Sequence, residues 1–492
     1  MSKRRNPRHF SRSKSDFSGY RALLWLLICF TGALTLSGKF PNSTLIKSID
    51  SLGFGPLPFL TERPKTTLEQ TLSENLEQYQ TQRQYQNREI GNAAQLQKQN
   101  FAVIDRIGLG TVYEGNSVTE LANLLKQYAK TDAEKARIIY AWIAQNIAYD
   151  AQAFQKRQNS YYSPKEVLQH RRAVCAGYAN LYQALGKAMG LEVVIVEGFA
   201  KGVDVDESPS DRPNHAWNAV KIDGSWYLVD VTWGAGSVRN GQFQRQFKPF
   251  YFAAQPSQLI YTHRPTADLW QMLPQVYDRD RFLSLPRLTP EFFRLGLGLL
   301  DANQYRLQAN TGRATIAFKA PANIIFQATL KRQNQPLAQT QTFVQHNGSR
   351  AEINLAFPAP GTYQLEIYAK PKGNPKDVNS STRQMLPLVA TYEITTTKAG
   401  VSFPKTYITH VEQNAYLYTP FVPSLPRNQT SLIEVGVPNA LEVVLIDQTT
   451  KEWKKLTKKG DRFVGLVKAN GSVSISAKFA GSDQYWSLIK YE

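Results

Sequence analysis

HAWNAVKIDGSWYLVDVTW occupies residues 215–233. Two runs rich in β-branched and aromatic residues flank Asp223-Gly224. That dipeptide favours a two-residue hairpin, because both central positions of a type I′ turn need positive φ. Such a turn pairs Ile222 with Ser225, puts Asp230 opposite Trp217, and leaves His215 on the same face, two residues from Trp217. His215 and Asp230 are then diagonal cross-strand neighbours, roughly 7–8 Å apart at the backbone and within side-chain reach. A carboxylate bonded to one imidazole nitrogen fixes the tautomer and leaves the other nitrogen for a thiol. The pairing depends on the turn, since a one-residue slip would send the two side chains to opposite faces.

A thiol is available upstream. RRAVCAGYANLYQALGKAMG, residues 171–190, spaces Tyr178, Leu181, Tyr182, Leu185 and Met189 as one helical stripe, and Gly190 supplies the stop. Cys175 falls at or just before the first turn, where the positive end of the helix dipole lowers a thiol's pKa. The competing role for a helical cysteine is that of a small buried hydrophobe. Only Cys29 and Cys175 occur in 492 residues, which excludes a disulfide framework. Cys175, His215 and Asp230 follow in that order, 40 and 15 residues apart.

Helical patterns precede the cysteine. Ser117 with Glu120 forms a capping-box signature, and Ile138, Ile139, Trp142, Ile143 and Ile147 share one face of the next segment. Ser163 and Pro164 mark a shorter helix start. LEVVIVEGFA, residues 191–200, is a buried strand, and SWYLVDVTW is expected to be strand throughout. Asp204, Asp206, Glu207 and Asp211 form an acidic loop without the glycine and terminal glutamate of an EF-hand, so no metal is expected. From about Gln308 onward short alternating strands dominate, and Gly361 with Tyr363 suits an immunoglobulin-type sandwich.

The chain carries a net charge of +19, with seven Lys/Arg against one Asp in residues 1–21. No nucleic-acid-binding motif accompanies that charge, so nucleic acid is not an expected partner. ALLWLLICFTGALTLSG, residues 22–38, follows the basic tail as a transmembrane signal-anchor would, placing the N-terminus in the cytoplasm and the bulk outside. Cleavage and secretion is the alternative. The expected organisation is a tail at 1–21, the anchor at 22–38, a stalk and Gln-rich spacer at 39–100, an α+β domain at 101–305, and two all-β sandwiches at 306–400 and 401–492.

V-C-A-G-Y-A, H-A-W-N and V-D-V-T-W, in this order, resemble the catalytic core of the transglutaminase-like superfamily. FKPFYFAAQPSQLIYTHRPTADLWQML, residues 247–273, is similar to the tail of its kyphoscoliosis-peptidase-type branch, and the late β blocks to that branch's immunoglobulin-like domains. The resemblance implies a papain/transglutaminase-like α+β core, with helices packed on an antiparallel sheet. It makes Cys175 the nucleophile, His215 the general base and acid, and Asp230 the orienting carboxylate. The chemistry implied is acyl transfer on a peptide bond or Gln amide without cofactor, by hydrolysis or transamidation. The Cys175 N–H would be one oxyanion donor, and Trp142, Asn146, Tyr149 and Tyr162 are candidates for a second. Trp217, Trp233 and Tyr178 are expected to line the groove, while His170 and His263 are expected to be structural. The expected substrate is a protein or peptide of the cell envelope, with a non-catalytic envelope adaptor as the alternative.

Overall fold

The computed structural model describes residues 89–156, 160–202, 212–373 and 386–492. The tail at 1–21, the anchor at 22–38, the spacer up to residue 88 and the acidic loop residues Asp204, Asp206, Glu207 and Asp211 lie outside the described residues. Among the described residues no helix is long and apolar enough to cross a membrane. The longest, Asp132–Asn146, has 15 residues, where a span needs about 20. The expected single-pass, extracytoplasmic placement is corrected to that extent: no described helix supplies a span.

Five helices build one side of the α+β domain: α1 (Ala102–Gly110), α2 (Val118–Lys126), α3 (Asp132–Asn146), α4 (Pro164–His170) and α5 (Cys175–Ala188). Side-chain caps fix the starts of α2, α3 and α4, whereas Phe101 and Val174 precede α1 and α5 without one. Ser163 and Glu166 form a reciprocal capping box with Pro164 at the first helical position, and Thr131 with Glu134 does the same for α3. At α2 only half of the expected box forms. Ser117 accepts the Glu120 N–H, but the Glu120 carboxylate accepts the Tyr113 O–H at 2.9 Å instead.

Helix α3 departs from the single apolar face read in its sequence. Every residue from Ala136 to Ala144 is buried, because α1, α5 and the sheet enclose it. Arg137, at 4 % exposure, is tolerated there because Asp105 of α1 meets it through two bonds, of 2.6 and 2.8 Å.

Strands β1 (Val193–Ala200), β2 (His215–Ile222), β3 (Ser225–Val229), β4 (Phe252–Ala254) and β5 (His263–Pro265) form one antiparallel sheet in the order β4-β3-β2-β1-β5. The β2–β3 register runs from Ile222↔Ser225 to Asn218↔Val229, as the two-residue turn requires. Asp223 and Gly224 both take positive φ, 48° and 84°. The strand expected to continue to Trp233 stops at Val229. Asp230 accepts the Trp233 N–H at 3.0 Å and caps a short helix, α6 (Val231–Ala235), because a side-chain acceptor there satisfies an orphan helix donor. Residues 89–100, assigned to the spacer, join the domain: Glu89 and Gly91 bond the backbone of Trp226, and Ala93 and Leu96 are buried.

Two β-sandwiches follow. In the first, one sheet is built from residues 287–288, 306–309, 324–332, 335–336, 361–371 and 388–396, and faces a second of 298–299, 313–319, 342–347 and 350–356. Tyr363 is buried and donates its hydroxyl to Ala359 O at 2.6 Å, the tyrosine corner of an immunoglobulin-type sandwich. The second sandwich packs strands within 405–491 into sheets of five and four. Phe343 of the first sandwich inserts among Phe403, Phe421 and His410, and Arg313 bonds the carbonyls of Val401, Ser402 and Phe421.

Candidate active site

Val174 ends the strand-like Arg172–Ala173 segment, and Cys175 is the first residue of α5. The first N–H groups of a helix have no intrahelical acceptor, so the Cys175 N–H points outward at the positive end of the dipole. The thiol is half-buried. The His215 side chain and the Ala216 N–H, both from the first residues of β2, are the neighbours that draw its pKa down. His215 turns its other face inward, and its Nε2 lies 2.8 Å from Asp230 Oδ2. With Nε2 committed to the carboxylate, Nδ1 is the nitrogen left for the thiol. The structure thus brings Cys175, His215 and Asp230 together from a helix start, a strand start and a helix cap.

Burial works against every charge here: His215 is 8 % exposed and Asp230 1 %. The pairing overcomes it. Burial would push the Cys175 thiol up, but the His215 bond and charge, with the Ala216 N–H, bring it below its ordinary value. Burial would push His215 down, but the Asp230 charge and bond, then the Cys175 bond, raise it. Asp230 is held well below the carboxylate range, because the two imidazoles outweigh its burial. These directions favour a thiolate–imidazolium pair over a neutral thiol and imidazole.

Two residues expected on the groove wall are not there. Trp217 is 1 % exposed and stacks beneath His215, with ring centroids 5.7 Å apart. Tyr178 is fully buried and donates to Ile147 O at 2.7 Å. Both support the site from below, since the helix stripe and strand alternation that place them also bury them. Trp233 is partly buried and packs against His215 at 5.9 Å and His263 at 4.5 Å. Among the upstream donors, Trp142 is buried and spends its indole N–H on Thr111 O, while Asn146 Nδ2 bonds Trp142 O. Tyr149 pairs with Ala173, two residues before the nucleophile, and its phenol feels the Cys175 charge. Burial keeps that phenol protonated and therefore a donor.

His263 is more than a packing residue. Its Nε2 lies 2.9 Å from the same Asp230 Oδ2, and its Nδ1 lies 2.8 Å from Thr262 Oγ1. The partner side chain sits 33 residues upstream, and only the pairing of β5 with β1 brings the two together. His215, Asp230 and His263 together are donor types a zinc ion accepts. Their spacing is that of shared protons, for two ligands of one tetrahedral zinc stand roughly 3.3 Å apart.

Gly198 sets the spacing of this arrangement. It pairs with His215 on one side and Pro265 on the other. A Cβ at this position would stand 2.3 Å from Arg264 O and 2.6 Å from the Trp217 ring. Gly198→Ala is expected to cost about 1–3 kcal/mol in urea denaturation and to slow Cys175 alkylation. Unchanged stability and alkylation would mean that β5 yields without disturbing His263.

Residues 119–231 match the transglutaminase-like superfamily, and residues 279–405 match the KY-like immunoglobulin-like domain. Kyphoscoliosis peptidase of Homo sapiens is 29% identical over 352 residues, which cover 70% of this chain and 49% of that one. Its counterpart in Mus musculus is 31% identical over 261 residues, covering 52% and 38%. Hillarin of Drosophila melanogaster is 27% identical over 303 residues, covering 55% and 36%. The chain spans less than half the length of each of these relatives. They are animal proteins, and a further match is cytokinesis protein 3 of Schizosaccharomyces pombe. The expected cell-envelope setting is corrected on this ground as well.

Proposed function

We propose that this chain, a transglutaminase-like protein carrying a KY-like immunoglobulin-like domain, is a cysteine-dependent acyl-transfer enzyme acting on a protein or peptide. The observation that carries this is His215, whose Nε2 is 2.8 Å from Asp230 Oδ2 and whose side chain draws the pKa of the Cys175 thiol, at the start of α5, below its ordinary value. The Cys175 thiolate attacks the carbonyl carbon of a Gln side-chain amide or a peptide bond. The carbonyl π pair moves to oxygen, and the Cys175 N–H and the Tyr149 hydroxyl stabilise that charge. On collapse the C–N bond breaks, and His215 gives its proton to the departing nitrogen as ammonia or an amine. Water or a second amine then attacks the thioester, His215 takes back a proton, and the acid or new amide leaves with the thiolate regenerated.

The test is intact-mass spectrometry after acid quench of the protein incubated with Gln-bearing peptides, with and without an added primary amine. An adduct of peptide mass less ammonia is expected on Cys175, absent from Cys175→Ala and discharged by hydroxylamine. A panel giving neither adduct nor product, from a protein whose thiol nonetheless alkylates at low pH, would leave a peptide-binding adaptor instead. Tyr149→Phe is expected to lower the acylation rate about 10²-fold, the usual effect of losing one oxyanion donor, while leaving the pH profile of alkylation in place.

A further inference from the structure

Asp230 is held more firmly than a triad carboxylate needs to be. Oδ1 accepts the Trp233 N–H at 3.0 Å, and Oδ2 receives both His215 and His263, at 2.8 and 2.9 Å. The backbone contact already fixes the carboxylate in place as the cap of α6, so His263 is not required to anchor it. Two imidazoles on one oxygen cannot both be cations beside a single negative charge. His263 is 2 % exposed, whereas His215 touches the half-buried thiol, so the proton that comes and goes belongs to His215. Burial and the His215 charge push His263 down. A neutral His263 with its proton on Nε2 fits its surroundings: Nε2–H donates to Asp230, and Nδ1 accepts from Thr262 Oγ1 at 2.8 Å, the shorter of that hydroxyl's two contacts, the other being Leu259 O at 3.2 Å.

We propose that His263 is a positioning residue that acts through Asp230: its Nε2–H takes up part of the charge on Oδ2, so His215 holds its proton less tightly and delivers it more readily to the leaving nitrogen. This rests on the acyl-transfer function proposed above and assigns a fourth side chain to it. Through the catalytic cycle His215 alternates between cation and neutral base, while His263 stays neutral and keeps the buried carboxylate bonded in both states. The other titratable groups facing the carboxylate are Cys175, Tyr140, Tyr149, Tyr178, Tyr251 and Lys248. Burial holds the four phenols protonated and pushes Lys248 down.

The experiment uses the full chain with 13C-labelled histidine, whose six residues give a tractable spectrum, alongside iodoacetamide alkylation of Cys175 across pH. In His263→Phe the ring volume stays and the donor goes. The His215 titration step is expected to move up by about one to two pH units, the worth of one hydrogen bond to a charge. His263→Gln, which keeps an N–H donor, is expected to restore most of the wild-type position. Thr262→Val spares the imidazole and removes the donor to Nδ1, so it is expected to shift the step in the same direction by less; it also carries the test should His263→Phe not fold. A folded His263→Phe with an unmoved or lowered His215 step overturns the proposal, as does an unmoved step in Thr262→Val. A wild-type thiol of ordinary reactivity would overturn the parent function and this role together, whereas a low-pH-reactive wild type with an indifferent His263→Phe removes this role alone.

Discussion

His215→Ala is expected to lower the rate of Cys175 alkylation at pH 6 by about a hundredfold. An unperturbed thiol with a pKa of about 8.5 is roughly 0.3 % thiolate at that pH, and burial would push Cys175 higher still. In the wild type the influence of His215 reverses that burial effect, so a larger share of Cys175 is thiolate at that pH than of a free cysteine. The helix N-terminus and the Ala216 N–H survive the substitution. A helix terminus is worth about 0.3–1 kcal/mol, less than one pH unit, so it cannot replace the imidazolium. The sign over the whole range follows from the two shifts. Cys175 loses its proton below its ordinary value and His215 keeps one up to about 10. The pair therefore forms as pH rises through the lowered thiol value and dissolves only near the raised imidazole value. A pH–rate profile with iodoacetamide should show early reactivity in the wild type and a single step at or above 8.5 in His215→Ala. Superimposable profiles would sink the acyl-transfer function.

Arg137→Ala should destabilise the α+β domain by about 3–5 kcal/mol, the cost of breaking a buried ion pair from one side. The guanidinium bonds Asp105 through both Nε and Nη2, and its side chain is 5 % exposed against 19 % for Asp105. It also stands 4.8–5.3 Å from the ring centroids of Phe101, Tyr140, Phe247 and Phe252. Truncation thus leaves a carboxylate facing a cavity among aromatic rings, far worse than losing an exposed pair. The double change Arg137→Met with Asp105→Leu removes both charges and refills the volume, and should recover most of the loss. Urea denaturation of the two variants against the wild type decides the matter. A loss under 1 kcal/mol in Arg137→Ala would mean that water reaches Asp105 and the pair behaves as a surface one.

The parts of the site that sequence discloses are those fixed by neighbours in the chain. The Asp223-Gly224 turn dictates the register over five pairs, and the stripe from Tyr178 to Met189 places Cys175 at a helix start. Ser163 and Pro164 do the same for α4. What stays hidden is set by partners far along the chain. The end of β3 at Val229 depends on Asp230 turning to cap α6, a competition between two hydrogen-bonding options that strand propensity does not register. The burial of α3 on all sides reflects what surrounds it, and the apolar period reports only its most hydrophobic face. His263 offered no local signal, because its partner becomes adjacent only when β5 pairs along β1.

That late pairing has a kinetic consequence. Strand β5 lies at the open edge of the sheet and is held through three residue pairs, Gly198↔Pro265, Phe199↔Arg264 and Ala200↔His263. Closing it joins residues more than sixty positions apart, a non-local step whose loop-closure entropy makes it slow beside the local β2–β3 hairpin. During refolding the thiol and His215 can therefore meet before Asp230 has acquired its second imidazole, and the nucleophile matures in two stages. Reactivity at Cys175 becomes a clock for assembly, in which an early rise marks the hairpin and a later adjustment marks the arrival of the edge strand.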